Sequence, residues 1–115
     1  MSKFFKKVGE QNFKTPVFKD GTKVDGVEFS IPACGEKIML TKMILNGDVP
    51  AHAHDNEQVG VVISGEFEMQ IGEEKMKLET GDSYFVPGGV EHEIAALSDG
   101  EIFDTFSPPR DEYRD

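Results

Sequence analysis

The sequence predicts an all-β protein, a sandwich or closed barrel of short strands, and three observations carry that prediction. Apolar and polar residues alternate with a period of two through much of the stretch from Ser64 to Pro87. Gly, Pro and Asp turns recur at the spacing of about 8–12 residues found in sandwiches and barrels. A helical period is almost absent, and a helix fits only a few residues near either end. With 115 residues the chain has room for a single domain, 1–115, and one core. Its expected layout is an N-terminal arm over 1–23, a barrel over 24–107 and a C-terminal tail over 108–115.

Taken in order, the first strand is expected over 24–31. The stretch 36–45 is apolar on both parities, with Ile38, Leu40 and Ile44 on one and Met39, Met43 and Leu45 on the other. Such a run fits a strand covered on both sides, in a sandwich interior or a subunit contact. Residues 59–63 read the same way. Phe67, Met69 and Ile71 then alternate with Glu68 and Gln70, the pattern of a strand with one wet face. Gly72, Glu73 and Glu74 turn the chain, and Met76 and Leu78 alternate with Lys75, Lys77 and Glu79 to complete a hairpin. Gly81 and Asp82 make a second turn into a strand over 83–86, which Pro87, Gly88 and Gly89 end. Two last strands are expected at 93–97 and 101–106.

Charge excludes several partners. The net charge is −10, and nucleic acid or an anionic membrane surface would need a basic face. The arm 1–23 is the exception, with six lysines against Glu10 and Asp20. That asymmetry is most simply a matter of solvated faces. One cysteine, Cys34, rules out a disulfide framework and zinc-thiolate patterns, and it reads as packing or partly exposed. No apolar run reaches the ~18 residues of a membrane span, and none follows the N-terminal charges as in a secretory signal. A soluble, cytoplasmic protein is expected.

The three histidines fall in two places. On an extended strand residues i and i+2 share a face, so His52 and His54 converge and can chelate one divalent metal. If that parity persists, Gln58 lies on the same face and Glu57 points away; a break at Asp55 and Asn56 would reverse the choice. His92 from a distant strand would complete a three-nitrogen, one-oxygen set with open positions. A lone His-x-His is commonly a surface accident, and here its company gives it weight. Gly47 precedes it, Gly65 follows it, and Gly81, Pro87, Gly89 and His92 form a second spaced group.

With those two motifs the chain resembles the cupins, and the resemblance covers most of 36–106. It implies a single double-stranded β-helix, a jelly-roll barrel, holding one metal ion. There are departures. Gly47 stands one residue closer to His52 than usual, Gln58 replaces the usual glutamate, and Ala96 stands where Asn is frequent. Three neutral histidines and a neutral Gln58 would leave the ion's charge uncompensated. Such a site is a stronger Lewis acid and holds its metal less tightly. Ligand type does not choose among Fe, Mn, Ni and Zn.

Near the C-terminus, alternation puts Asp104 and Phe106 on one face, and Pro108 and Pro109 fix the chain before Arg110. One reading is an acid/base carboxylate, an aromatic wall and a guanidinium for a substrate carboxylate. The other, which spacing alone favours, is an edge strand leaving the barrel with Arg110 in a surface ion pair. Together with the histidine motifs, the run Asp104, Phe106, Ser107, Pro108, Pro109 and Arg110 resembles the KdgF-type cupins of uronate catabolism. That resemblance implies opening of 4,5-unsaturated monouronates into linear keto sugars. It implies His52, His54, Gln58 and His92 as metal ligands, and Asp104, Phe106 and Arg110 as substrate and catalytic residues. It also implies a homodimer acting on a small acidic molecule. A cupin of another reaction (a dioxygenase or an isomerase) and a non-catalytic ligand-binding cupin are the alternatives.

The remaining residues read more plainly. Whichever of Tyr84 and Phe85 faces inward would line the pocket, and the sequence does not decide which. Met39, Met43, Met69 and Met76 are expected as core or interface filler. Glu91 and Glu93 flank His92 and should face solvent. An acidic body repels an anionic substrate at long range, so attraction has to come from inside, from the metal and Arg110.

Overall fold

Turns set where the strands begin and end. The computed structural model describes residues 2–18 and 20–114. Among these residues nine strands form: β1 (Val27–Cys34), β2 (Met39–Leu45), β3 (Val49–His52), β4 (Glu57–Ser64), β5 (Phe67–Ile71), β6 (Glu74–Leu78), β7 (Ser83–Val86), β8 (His92–Ala96) and β9 (Gly100–Ser107). Two short 3-10 turns, Val8–Glu10 and Asp111–Tyr113, are the helical segments of the described residues. Among the described residues no helix is long and apolar enough to cross a membrane.

All strand pairs are antiparallel, in a five-stranded sheet of order β1-β2-β9-β4-β7 and a four-stranded sheet of order β3-β8-β5-β6. This is the expected all-β jelly-roll architecture, with some boundaries moved. β1 starts at Val27 rather than 24 because Asp25 and Gly26 turn the chain; Gly26 has φ 77 and its carbonyl accepts from the Asn46 amide. It then runs on to Cys34 past a bulge between Ser30 and Ala33, where Pro32 has no amide hydrogen to give the ladder. β2 starts at Met39 because Gly35 donates to the Ile38 carbonyl at 2.8 Å, closing a turn over 35–38.

Within the chain β2 is covered on one side only. Met39, Thr41, Met43 and Leu45 are buried, whereas Leu40, Lys42 and Ile44 are half-buried on the outer face. Met76 departs from its methionine neighbours and is exposed, because β6 is the edge strand of its sheet. Cys34 is exposed as well.

The register of β2, β9, β4 and β7 stacks the inward side chains in layers. Met43, Ile102 and Val62 form one; Thr41, Asp104, Gly60 and Tyr84 the next; Met39, Phe106, Gln58 and Val86 a third. From the opposite sheet Phe67, Met69, Leu78 and Ile94 complete the core. Each such fully buried large side chain stabilises the fold by about 1.5–3 kcal/mol. Asp104, Gln58 and His92 occupy inward positions among these residues and are buried too. Buried polar groups persist only with partners, so those partners define what this part of the barrel does.

Candidate metal centre and substrate cavity

His52 ends β3, His54 lies two residues beyond it, and His92 opens β8 directly opposite His52. Ring centroids lie 5.8 Å apart for His52 and His54, 4.3 Å for His52 and His92, and 4.8 Å for His54 and His92. One ring nitrogen from each lies within 4.8 Å of the others. Every Nδ1 faces a backbone carbonyl: Pro50 at 2.8 Å, Asn56 at 3.1 Å and Val90 at 2.9 Å, respectively. A carbonyl only accepts, so the Nδ1 of His52 and of His92 carries the hydrogen and their Nε2 presents a lone pair; His54 faces an accepting oxygen at each nitrogen, and holding a metal requires its Nε2 to be the bare one. Among the described residues the buried Nε2 of His92 has no hydrogen-bond partner.

Gln58 adds an oxygen to this group. β4 alternates, so Gln58 is buried while Glu57 is exposed. Its amide also reaches Tyr84 and Asp104. The nitrogen end is the one that donates to a carboxylate, which leaves Oε1 3.1 Å from His54 Nε2. Three imidazole nitrogens and an amide oxygen thus converge, and that donor set fits one divalent metal ion with positions left open. Burial holds all three histidines below their ordinary pKa, His92 down to about 4. They are therefore neutral, the form a metal needs.

Asp104 lies one layer deeper on β9. Burial raises its carboxyl to about pKa 6, against hydrogen bonds from Tyr84 and Gln58 and the charge of Arg110. Tyr84, rather than Phe85, is the inward residue of β7; its hydroxyl donates to Asp104 Oδ1, and Phe85 is exposed. Burial pushes the Tyr84 phenol well up. Phe106 packs edge-on to His54 at 5.6 Å between centroids.

β9 is the middle strand of its sheet, which removes the edge-strand alternative for Asp104. Beyond it the chain folds back rather than leaving. Arg110 sits 5.3 Å over the Phe106 ring and 4.3 Å over Tyr113, and its Nη1 donates to the Tyr113 hydroxyl at 2.8 Å. An ion pair to Glu112 at 3.4 Å remains at the rim. Asn56 Nδ2 donates to the Pro108 carbonyl at 2.6 Å, tying the histidine loop to the tail.

His52, Gln58, His92, Tyr84, Asp104, Phe106, Arg110 and Tyr113 line one cavity. Sequence reasoning missed several of its walls. Pro16, Val17 and Phe18 of the arm line it, with Phe18 5.7 Å from His52 between centroids and Val17 bridged to Lys23. The signal available was an apolar pair inside a basic segment. Tyr113 was hidden in the tail, three residues after Arg110. Glu91 and Glu93 are exposed, as their parity beside His92 requires.

The Cupin_2 family model, a cupin domain, matches residues 39–105. The pectin degradation protein KdgF of Dickeya dadantii is 39% identical over 93 residues, 77% of this chain and 84% of that protein. The structure of KdgF from a Halomonas species superimposes with TM-score 0.83 at 28% identity, covering 99% of this chain and 100% of that one. An RmlC-like cupin from Shewanella frigidimarina gives TM-score 0.75 at 29% identity, over 90% of this chain and 98% of that one.

Proposed function

The chain belongs to the Cupin_2 family, and on that premise we propose that it is a metal-dependent enzyme opening 4,5-unsaturated monouronates to linear keto sugars. The observation that carries the reading is that a buried carboxyl (Asp104), a guanidinium (Arg110) and two of three convergent histidines (His52 and His92) line one cavity. Likeness to a pectin degradation protein supports the substrate class.

His52, His54, Gln58 and His92 would hold the ion, one of Fe, Mn, Ni or Zn. Bound there, it would supply Lewis-acid stabilisation of negative charge developing on a substrate oxygen. Arg110, backed by Phe106 and Tyr113, pairs with the substrate carboxylate and fixes its orientation. The reaction is an isomerisation. The anomeric hydroxyl loses its proton, a carbonyl forms at carbon 1, and the bond from carbon 1 to the ring oxygen breaks. The resulting enolate becomes a ketone as carbon 4 gains a proton, so one proton is lost and one gained and the overall count is unchanged. Asp104 carries that proton, and its buried position keeps water from competing. Incubating the metal-loaded protein with the unsaturated monomer should bleach the monomer's ultraviolet absorbance well above the buffer rate. A rate equal to buffer rejects the reaction.

The same reading includes a homodimer. On the outer face of the five-stranded sheet Val59 pairs with Phe85 and Val61 with Phe103, beside the half-buried Leu40. Val59 and Phe85 are about half exposed, at 55% and 51%. A second copy placed there would cover the side of β2 and β4 that the chain itself leaves open. Light scattering should give twice the 12.8 kDa chain mass, and Phe85→Glu should halve it. A wild-type mass of one chain removes the dimer.

A further inference from the structure

The reaction above leaves Tyr84 without a role, yet three strands are built around its hydroxyl. Gly60 on β4 is paired with Tyr84 on one side and Asp104 on the other. To reach the carboxylate, the phenol has to pass over position 60. A methyl group at that position would come within 3.0 Å of the phenol carbon, its hydroxyl and Asp104 Oδ1. The backbone of Gly60 is not left-handed, so glycine is needed for space and not for conformation. Through this gap the Tyr84 hydroxyl donates to Asp104 Oδ1. Thr41 Oγ1 holds the Asp104 carbonyl at 3.1 Å from the other neighbouring strand.

We infer that Tyr84 is a positioning residue, whose hydroxyl, admitted by Gly60, fixes the Asp104 carboxylate in the orientation that serves the substrate. The inference rests on Asp104 as the proton carrier proposed above. A carboxylate with one oxygen tied by a rigid phenol keeps the other at a defined place, and proton transfer is steep in that placement.

Two measurements decide it, and the first needs no substrate. The chain has two tyrosines, so protein labelled at the tyrosine ring carbon that bears the hydroxyl gives two carbon signals. Tyr84→Phe identifies one by removing it, and Asp104→Asn should move that signal more than the Tyr113 signal. A Tyr84 signal that stays in place overturns the inference, whatever the substrate. In turnover, Tyr84→Phe should lower kcat about tenfold with KM within about twofold, and should cost nothing further once Asp104 is Asn. An unchanged kcat, or a full tenfold loss on top of Asp104→Asn, equally overturns it. A wild-type protein that does not turn over sinks the proposed reaction instead, and the carbon signal then decides the Tyr84 contact alone.

Discussion

Asp104→Asn is expected to lower kcat on an unsaturated monouronate by about 10²–10⁴-fold, the usual span for removing a positioned proton carrier. KM should change little, because Arg110 and the histidine group are left in place. Asparagine matches the shape of the side chain and still offers an oxygen to Tyr84, so the layer of Thr41, Gly60 and Tyr84 can stay packed. What disappears is the ionisable group. Its charged form is costly at a site only 5% exposed, and neutralising it offsets some of the hydrogen bonding that the amide loses. Thermal unfolding of the variant should accordingly stay close to wild type while initial rates collapse. A loss in kcat of less than about fivefold would take Asp104 out of the chemistry.

Much of this arrangement was legible in the sequence because alternation is a local property. Parity favours Gln58 over Glu57 while leaving a break at Asp55 and Asn56 open, and the strand and turn patterns place eight of the nine strands within about three positions, β3 being the one missed. The convergence of His52 and His54 holds even though His54 lies beyond the end of β3. The carbonyls of Pro50 and Asn56 orient the two rings there in place of strand geometry. What could not be read locally depends on register between distant strands. Gly60 looks like a weakness in β4 until Tyr84 and Asp104, 24 and 44 residues further along the chain, are paired on either side of it. Phe18 and Tyr113 reach the cavity from segments without periodicity, so no pattern could place them. Asn56 falls where a loop could break the parity, and its structural use is to hold the tail that carries Arg110.

Metal removal should produce the other large effect, and His92→Ala isolates it. His92 is opposite His52 in the register, and its buried Nε2 has no hydrogen-bond partner among the described residues. Without it two imidazoles and Gln58 remain, too few strong donors to hold an ion in competition with water. Elemental analysis should fall from near one metal per chain to near zero, with turnover falling alongside. Stability gives an independent measure. An ion at about 100 times its Kd stabilises the folded chain by about 2.7 kcal/mol, or roughly 10 °C in Tm for a domain of this size. The wild type should lose that increment on chelation, and His92→Ala should show none to lose. The metal-free wild type should also weaken in acid, because its histidines are held below their ordinary pKa of 6.5. Groups with lowered folded pKa contribute stability above the unfolded value and lose it as pH falls, here from 6.5 toward the value of about 4 for His92. Asp104, raised to about 6, acts in the opposite sense. With three histidines against one carboxyl, the net direction is loss of stability toward acid. His92→Ala should reduce that fall, leaving the part due to His52 and His54, while removing the metal increment. A variant that kept stoichiometric metal would show that the ion sits elsewhere.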